Sequence, residues 1–449
     1  MQVIDTPAMR PATLDAFLTL IGPERAGRLR DAARRLRGGL DGGTLWHVNS
    51  TATGGGVAEM LYVLVPLYRA LGVPTRWAVV DGDTAFFDIT KRLGNLAYGS
   101  TADADLLRPG DLEGYTGHLA GEAEELRAVL RPGDVLLLHD HQTAGLVPLL
   151  SAETAGIYWR CHVGVDEPTD GSRRAWAALA PLLDKANGVI FSVAAHLPAE
   201  LSGHRVAIIP PVLWPFAPKN QHLPAGQLPG LLDRCGLGGP GTVPGYVLAD
   251  GHRDPAEPLV VQVSRWDRLK DMHAVLTGFG AVPDAQLALI GPDPASIPDD
   301  IEQAHWFDVC RTTWTALPDR LRHRTRLVCL PMHDLDDNAR LVNAAQRAAD
   351  VVVQKSLAEG FGLTVTEAMW KARPVVGSAV GGIAAQIEHG ATGLLLDDPH
   401  DLAAFAALVT RLTSGATDGA ALGRRARARV HDAYLPDTDL RAVTGLLCA

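Results

Sequence analysis

Residues 349–382 read ADVVVQKSLAEGFGLTVTEAMWKARPVVGSAVGG, and their pattern is the most informative about the fold. The apolar run at 351–353 is typical of a strand that is buried on both faces. Helix-forming residues with apolar side chains at helical spacing follow at 363–371. A glycine-rich turn at 359–362 joins the two, so the sequence predicts a buried strand, a tight turn and a helix.

This turn has the composition of a phosphate site. Gly360 and Gly362 allow backbone N–H groups to approach a ligand, and the helix N-terminus adds unpaired donors and a positive dipole end. Glu359 and Glu367 could bind the hydroxyls of a sugar and of a ribose on either side of the phosphate. An alternative is that Thr364 and Glu367 form a capping box, in which Glu367 only accepts a backbone N–H.

Length and composition indicate a two-domain globular protein. A chain of 449 residues exceeds one ordinary core, so we expect two domains of about 200 residues each. The net charge of -10 and the lack of a dense basic tract argue against nucleic acid or an anionic membrane as partner. Five scattered cysteines without metal-ligand spacing, and no signal peptide or long apolar run, predict a cytoplasmic protein.

Strand-like and helix-like segments alternate along the chain, which indicates βαβ units around parallel sheets. We predict an N-terminal Rossmann-like domain at 1–213, a Pro/Gly-rich linker at 214–256 and a second Rossmann-like domain at 257–430. A C-terminal helix at 431–449 should cross back to the first domain. The predicted fold is α/β, with two facing doubly wound domains and a ligand cleft between them at the carboxyl ends of their strands.

Two further positions suit negatively charged groups. Thr53, Gly54, Gly55 and Gly56 lie between a strand and a helix, where the amides of Gly55 and Gly56 could hold a phosphate or a hydroxyl. A plain strand-to-helix turn is the alternative.

Arg265 and Lys270 follow the first strand of the second domain, where cations would stabilise a departing diphosphate. They could equally be surface residues that pair with Asp267 and Asp271.

Polar residues also follow probable strands of the first domain. His139, Asp140 and His141 lie in LLLHDHQTAG, and His162 lies in YWRCHVG. Their positions at strand ends favour a location in the cleft, although a histidine is more often structural.

The segment EGFGLTVTE, 359–367, resembles the E-x7-E signature of family 4 retaining GT-B glycosyltransferases. The longer segments 330–376 and 45–72 resemble the trehalose glycosyltransferring synthases of that family, and the resemblance covers most of 44–410. It implies a GT-B fold and transfer of glucose from UDP-, ADP- or GDP-glucose to glucose, giving α,α-trehalose with retention. The acceptor's proton would pass to the leaving phosphate in a front-face reaction, without a metal or an obligatory cofactor.

The resemblance also implies roles for individual residues. The residues implied as catalytic are Glu359, Arg265, Lys270 and His162. Those implied to bind the donor are Gly55, Gly56, Arg265, Lys270, Gly291, Glu359, Gly360, Phe361, Gly362, Leu363 and Glu367, with the backbone at Gly381, Gly382 and Ile383 enclosing the nucleotide. Those implied to bind the acceptor are Asn49, Lys91, His139, Asp140 and His162. A homodimer is expected from the resemblance alone.

Departures from the family pattern leave the acceptor open. Gly94 stands where the synthases resembled here would have a histidine, and CHVGVDEP at 161–168 differs from the typical CHIDLSSP. An aminosugar, a cyclitol or a nucleoside is therefore an alternative acceptor.

Two other classes of protein are alternatives. A catalytically silent nucleotide-sugar-binding protein would not need Arg265, Lys270, Glu359 and Glu367 together. A dinucleotide-dependent oxidoreductase would need a GxGxxG fingerprint, which the sequence lacks.

Overall fold

The computed structural model describes residues 1–53, 55–238, 245–296 and 301–448. The chain divides into two compact units. The first comprises Met1–Leu213 and Tyr434–Ala449, and the second comprises Trp214–Ala433. Each unit is built around one seven-stranded sheet.

The first unit alternates strands and helices along residues 1–213. In chain order its elements are β1 (Gln2–Val3), α1 (Pro11–Gly39), β2 (Leu45–Asn49), α2 (Gly56–Ala70), β3 (Thr75–Val79), α3 (Thr84–Ala97), α4 (Asp111–Arg127), β4 (Val135–His139), α5 (Leu146–Leu150), β5 (Gly156–Cys161), α6 (Asp170–Leu183), β6 (Gly188–Phe191) and β7 (Val206–Ile208).

The strand order in the first sheet is β1-β3-β2-β4-β5-β6-β7, and every pair is parallel except β1 with β3. All residues of β2, β4 and β5 are buried, as continuous apolar runs in a parallel sheet require. The chain builds outward in one direction from β2 to β3 and in the other from β4 to β7. The carboxyl ends of β2 and β4 therefore form a topological switch point, where ligands bind in open α/β sheets.

The second unit repeats this plan. In chain order its elements are α7 (Leu228–Arg234), β8 (Tyr246–Leu248), β9 (Leu259–Val263), α8 (Met272–Gly278), β10 (Gln286–Pro292), α9 (Ile301–Ala316), α10 (Asp319–Arg322), β11 (Thr325–Leu330), α11 (Leu335–Ala348), β12 (Val351–Gln354), α12 (Leu363–Trp370), β13 (Val375–Ser378), α13 (Gly381–Gln386), β14 (Leu394–Leu396), α14 (Leu402–Thr413) and α15 (Gly419–Ala433). The chain then returns to the first unit in α16 (Pro436–Leu447).

The strand order in the second sheet is β14-β13-β12-β9-β10-β11-β8. Its six parallel strands have the order of a dinucleotide-type Rossmann sheet, in which the connection between the two halves places the first and fourth strands side by side. Here these two strands are β9 and β12, which pair in parallel. Their carboxyl ends form the switch point of the second unit.

One predicted boundary differs from the structure. Residues 214–256, predicted as a linker, lie in the second unit, where α7 packs on α11 and β8 pairs antiparallel with β11. The strand β8 is three residues long and lies among prolines and glycines, so its sequence carries no periodicity. Ahead of the first core strand, α1 consists of two helical segments that meet at a kink, where Gly22 has a non-helical backbone with φ of +79° before Pro23.

The C-terminal helix α16 is held in the first unit by buried polar contacts. Asp439 Oδ2 accepts from Arg160 Nη1 at 2.8 Å, and both side chains are fully buried. Asp437 Oδ1 accepts from Arg25 Nη2 of α1 at 2.6 Å. Among the described residues no helix is long and apolar enough to cross a membrane.

Candidate active site

The switch point of the second unit brings together two predicted site residues that are far apart in sequence. Lys270 follows β9, Glu359 follows β12, and Lys270 Nζ donates to Glu359 Oε2 at 2.5 Å. Only 18% of the Lys270 side chain and 10% of the Glu359 side chain are exposed. An ion pair shielded to this degree is weakly screened, so it fixes both side chains at the carboxyl edge of the sheet.

The backbone around Lys270 is fixed from several sides. Residues Arg268–Lys270 form one turn of 3-10 helix, and Asp267 Oδ1 accepts from the N–H of Leu269 at 2.6 Å. The carbonyl of Lys270 accepts from Gln262 Nε2 at 2.8 Å, which ties the turn to β9. The carbonyl of Leu269 accepts from the N–H of Leu357 at 2.8 Å, which ties it to the loop after β12.

A second ion pair lies beneath the first. Lys355, whose side chain is 1% exposed, donates to Asp271, the residue after Lys270. Asp271 has a left-handed backbone with φ of +50°, which turns the chain into α8. From the sequence, Asp271 was predicted only as a possible surface ion-pair partner of Arg265 or Lys270. Its buried partner Lys355 was not predicted. The feature that could have indicated it is the position of a lysine directly after an apolar strand.

The glycine-rich turn approaches its neighbours so closely that side chains are excluded. Gly362 is the N-cap of α12 with φ of +84°, and a Cβ there would lie 3.1 Å from Glu359 Cγ. At Gly382 a Cβ would lie 2.2 Å from Phe361 Cα and 2.4 Å from Phe361 O. Gln386 Nε2 donates to the carbonyl of Phe361 at 2.5 Å. The turn is thereby held rigidly between α12 and α13.

The capping-box alternative for Glu367 is wrong. The helix α12 begins at Leu363, and the cap is Gly362, without a side-chain hydrogen bond. Thr364 donates instead to Gln354 Oε1 at 3.0 Å. Glu367 lies on the buried side of α12, with Oε1 at 3.5 Å from Lys219 Nζ.

A buried lysine follows one turn later on the same helix. Lys371 Nζ donates to Gln346 Oε1 at 2.7 Å, to the carbonyl of Glu367 at 3.2 Å and to Asn220 Oδ1 at 3.3 Å. Burial lowers the pKa of Lys371 to about 7, against the opposing attraction of Glu367. The lysine joins α12 to α11 and to the segment before α7.

Three other residues predicted for the donor side differ in their surroundings. The side chain of Arg265 is 61% exposed, and its Nη2 lies 3.5 Å from Asp267 Oδ2. Gly291 is buried against the indole of Trp266, where a Cβ would lie 2.6 Å from the ring. Packing therefore suffices to explain the glycine at 291. Leu363 is half-buried at the first position of α12.

The switch point of the first unit carries a chain of histidines across four neighbouring strands. His47 Nδ1 lies 3.1 Å from His139 Nε2, His139 Nδ1 lies 3.3 Å from His162 Nε2, and His162 Nδ1 lies 3.2 Å from Ser192 Oγ. Burial lowers the pKa of His47 to about 4 and those of His139 and His162 well below the usual value. The three imidazoles are therefore neutral at pH 7.

The groups at the two ends of this row of hydrogen bonds decide which nitrogen of each histidine carries the proton. A neutral imidazole has one donor and one acceptor nitrogen, so all three rings must point the same way. With the proton on every Nδ1, Ser192 accepts from His162 and donates to the carbonyl of Cys161 at 3.5 Å. In the reverse direction Ser192 gives its one hydrogen to His162, so the bond to the Cys161 carbonyl is lost, whereas His47 Nε2, a buried atom with no hydrogen-bond partner among the described residues, is unpaired in either direction. The Nδ1–H tautomers are therefore favoured.

The hydrogen bonds between these histidines correct the prediction that His139 binds the acceptor. His139 is 1% exposed, and both of its ring nitrogens are used by His47 and His162, so it is not placed to bind an acceptor directly. The ring of the partly exposed His162 would have to give up one of its two bonds to bind a sugar through nitrogen. The sequence missed His47 and Ser192, because only the sheet order shows that their strands are neighbours of β4 and β5.

Asp140 and Asn49 lie at the same edge. Asp140 has a left-handed backbone with φ of +61°, its Oδ1 accepts from the N–H of His162 at 2.7 Å, and burial raises the pKa of its carboxyl to about 7. Asn49 Oδ1 accepts from Trp77 Nε1 at 2.7 Å, and Asn49 Nδ2 donates to the carbonyl of Thr51 at 2.7 Å. Asn49 therefore shapes the loop that leads to α2.

The remaining acceptor-side positions differ in exposure. Lys91 is exposed on α3. His141 is buried, and its Cε1 lies 3.0 Å from where a Cβ on Gly94 would stand. Gly55 and Gly56 are exposed at the start of α2, where Gly55 has φ of +109°, and Gly54 lies outside the described residues. In the part of the chain that the structure describes, no group of three His, Cys, Asp or Glu residues is placed to hold a metal ion.

Comparison with known proteins identifies the family. Residues 47–198 match the family model "Trehalose synthase, N-terminal domain", and residues 335–429 match "Glycosyl transferases group 1". Trehalose synthase from Pyrococcus horikoshii is 33% identical over 393 residues, which cover 86% of this chain and 85% of that protein. The chain belongs to the trehalose synthase family. It is therefore a glycosyltransferase.

One further relative and one solved structure each cover most of the length of this trehalose synthase family member. Trehalose synthase from Rubrobacter xylanophilus is 32% identical over 432 residues, covering 95% of this chain and 94% of that protein. The solved α,α-trehalose-phosphate synthase (UDP-forming) from Burkholderia vietnamiensis has a TM-score of 0.69 at 17% identity, covering 90% of this chain and 96% of that one. The predicted GT-B fold class is confirmed.

Proposed function

We propose that this glycosyltransferase moves glucose from a nucleoside diphosphate glucose onto glucose and forms α,α-trehalose with retention of configuration. The observation that carries the proposal is the Lys270–Glu359 pair at the switch point of the second sheet, next to the glycine turn that opens α12. Membership of the trehalose synthase family supports the product, and the UDP-forming fold neighbour supports a nucleoside diphosphate leaving group.

The donor would bind to the second unit through opposite charges. Lys270 has three N–H donors and uses one for Glu359, so the others can bind diphosphate oxygens. Glu359 receives Lys270 on Oε2, and Oε1 can accept hydrogens from the hydroxyls of the sugar. Gly360, Gly362 and the start of α12 would offer backbone N–H groups to phosphate.

The remaining donor contacts carry over from the family pattern. Arg265 would add its charge to the diphosphate, and its exposed side chain has the reach to do so. Glu367 would bind the ribose, and Gly291, Phe361 and Leu363 would line the nucleotide. The exposed amides of Gly55 and Gly56 in the first unit would bind the distal phosphate.

The proposed chemistry is a front-face displacement. The bond between the anomeric carbon and the phosphate oxygen breaks, and the acceptor oxygen bonds to the same face of that carbon. The acceptor's proton passes to the departing phosphate oxygen. Lys270 and Arg265 stabilise the negative charge that develops on the diphosphate, so no protein carboxylate has to attack the sugar.

The acceptor would be oriented by the switch point of the first unit. We assign the hydroxyl contacts to Asp140 and Lys91, because Asp140 lies at the strand ends and Lys91 is exposed. Asn49 and His162 would shape that region from below, since the hydrogen bonds of their side chains run mainly to the protein.

One observation favours a second candidate acceptor. His141 lies against Gly94, the position where the synthases resembled in sequence would have a histidine, so this side of the site is built differently. An aminosugar, a cyclitol or a nucleoside would then replace glucose, with the donor half unchanged.

The test is product analysis with purified protein. UDP-, ADP- and GDP-glucose are each incubated with glucose and without an acceptor, and products are separated, weighed by mass spectrometry and assigned by NMR of the linkage. We expect a disaccharide with two α-linked anomeric carbons. Donor hydrolysis without a disaccharide would overturn glucose as acceptor. No consumption of any of the three donors would overturn the proposed donor.

A further inference from the structure

Gln354 lies at the centre of a hydrogen-bond network directly beneath the Lys270–Glu359 pair. It is the last residue of β12 and is 2% exposed. Its Nε2 donates to Ser264 Oγ at 3.1 Å and to Ser356 Oγ at 3.0 Å, and its Oε1 accepts from Thr364 Oγ1 at 3.0 Å. One side chain thus links the end of β9, the loop after β12 and the first turn of α12.

Ser356 connects this network to Glu359. Ser356 is fully buried, and its Oγ donates to Glu359 Oε2 at 3.3 Å. A hydroxyl has one hydrogen, so Ser356 can give it to Glu359 only if Gln354 presents its N–H, rather than its oxygen, to Ser356. A bond to an ionised carboxylate is stronger than one to a neutral amide oxygen, which favours this orientation of the amide.

We propose that Gln354 is a positioning residue for glycosyl transfer, which acts through Ser356 to hold Glu359 in one orientation with Oε1 directed to the donor sugar. The proposal rests on the proposed function of Glu359 as the residue that binds the sugar hydroxyls. Gln354 does not touch the substrate. Its N–H donates to Ser356 Oγ, so the Ser356 hydroxyl is left to donate to Glu359. Ser356 and Lys270 both donate to Glu359 Oε2, which leaves Oε1 for the sugar.

This arrangement separates two effects of a change at Gln354. The diphosphate would be bound through Lys270, whose turn is held by the bond from Gln262 Nε2 to the Lys270 carbonyl and by the bond from the Leu269 N–H to Asp267. Neither bond includes Gln354, although Gln262 Nε2 also lies 3.4 Å from Ser264 Oγ, a partner of Gln354. Binding of the nucleoside diphosphate alone should therefore persist in a Gln354 variant. The rate of transfer should fall, because a misdirected Glu359 no longer holds the sugar in the reactive geometry.

The decisive variant is Gln354→Glu, which keeps the size of the side chain but cannot donate when ionised. The Ser356 hydroxyl would turn to the new carboxylate and away from Glu359. Ser356→Ala and the double variant Gln354→Glu/Ser356→Ala complete a cycle. Gln286→Met is the control, because Gln286 is an equally buried glutamine of the same sheet that lies at the amino end of its strand, β10, whereas Gln354 lies at the carboxyl end of β12.

The experiment measures kcat and KM for the donor, the pH profile of kcat/KM and the Kd for UDP by calorimetry. In Gln354→Glu we expect kcat to fall by roughly 10- to 100-fold, as for loss of a hydrogen bond to a charged group, with Kd for UDP within about twofold of the wild type. The acid limb of the profile should move to higher pH, since a nearby negative charge favours protonated carboxyl groups. Adding Ser356→Ala should cost little more.

Three results would overturn the inference while leaving the proposed function intact. These are wild-type kcat in Gln354→Glu, a loss equal to that of Gln286→Met with an unmoved pH profile, and full additivity of the two changes in the cycle. Failure of the wild-type protein to consume any donor would instead overturn the proposed function. The two failures are thus distinguished by the wild-type reaction.

Discussion

Glu359 carries its charge in a largely buried side chain, where Lys270 and Ser356 both bind Oε2. Glu359→Gln keeps the shape of the side chain and removes the charge that the proposed sugar contact and the ion pair need. We expect transfer to fall by about 100-fold or more, a loss comparable to removal of one transition-state hydrogen bond from an enzyme site. Initial rates with saturating donor and acceptor measure the effect, and circular dichroism checks the fold.

The matched control is Glu388→Gln. Glu388 also pairs with a cation, Arg429, but its side chain is 58% exposed on the surface of the same unit. It should keep wild-type activity. A wild-type rate in Glu359→Gln would remove this carboxylate from the proposed mechanism.

The charged residues of the site could be predicted from the sequence, but the polar residues that hold them in place could not. Glu359 and Lys270 each lie in a local motif after an apolar strand, so the sequence alone indicates them as site residues. Gln354 and Ser264 lie 90 residues apart, and they meet only because β9 and β12 are neighbours in the sheet. Hydrophobic periodicity identifies strands but not their order, so the network could not be predicted.

Between elements, α13 packs against the glycine turn with no space for a side chain at Gly382. A Cβ there would meet two backbone atoms of Phe361, which cannot move aside as a flexible side chain can. Gly382→Ala should shift the turn that carries Glu359 and lower kcat/KM for the donor by at least about tenfold, since small displacements of reacting groups are costly. The measurement is donor kinetics together with the melting temperature.

Gly230→Ala provides the comparison for this glycine. Gly230 is exposed on α7 and has no atom within 4 Å of its potential Cβ, so alanine there should leave the kinetics unchanged. Equal kinetics in both alanine variants would show that the approach of α13 to the turn does not matter for the reaction.

Lys371, which joins α12 to α11, should make the stability of the second unit depend on pH. Burial lowers its pKa to about 7 from the usual 10.5 of a lysine, so between these two pH values the unfolded chain binds more protons than the folded chain. Stability therefore rises with pH between about 7 and 10, with a slope of order 1 kcal/mol per pH unit, and the contribution is lost as the pH falls through about 7. Lys371→Met should lack this rise.

The test compares urea unfolding of the wild type and Lys371→Met from pH 7 to pH 10. Taking the difference cancels the titration of all other groups, and Lys185→Met on the exposed surface of the first unit serves as control. Parallel stability curves for the wild type and Lys371→Met would show that the lysine has an ordinary pKa.

For the whole molecule, alternation of apolar strands with helices was enough to predict two doubly wound sheets, because each pattern is local. The strand order and the membership of 214–256 in the second unit were not predictable, since β8 gains its place only by pairing with β11. Propensity marked the prolines and glycines there as a linker, and tertiary pairing overrode it.

The first unit is completed by the last segment of the chain, and this gives the final prediction. Asp439 of α16 is fully buried and accepts from Tyr68 Oη at 2.7 Å and from Arg160 Nη1 at 2.8 Å.

Asp439→Asn leaves the buried guanidinium of Arg160 without a countercharge, which should destabilise the first unit by roughly 3–5 kcal/mol. Asp31→Asn, which breaks an exposed pair with Arg34 in the same unit, should cost less than about 1 kcal/mol. Replacing both buried partners with apolar residues, as in Arg160→Met/Asp439→Leu, should recover much of the loss, because no uncompensated charge remains. Urea unfolding measures all three, and equal losses in Asp439→Asn and Asp31→Asn would show that the C-terminal segment is not anchored through this charge.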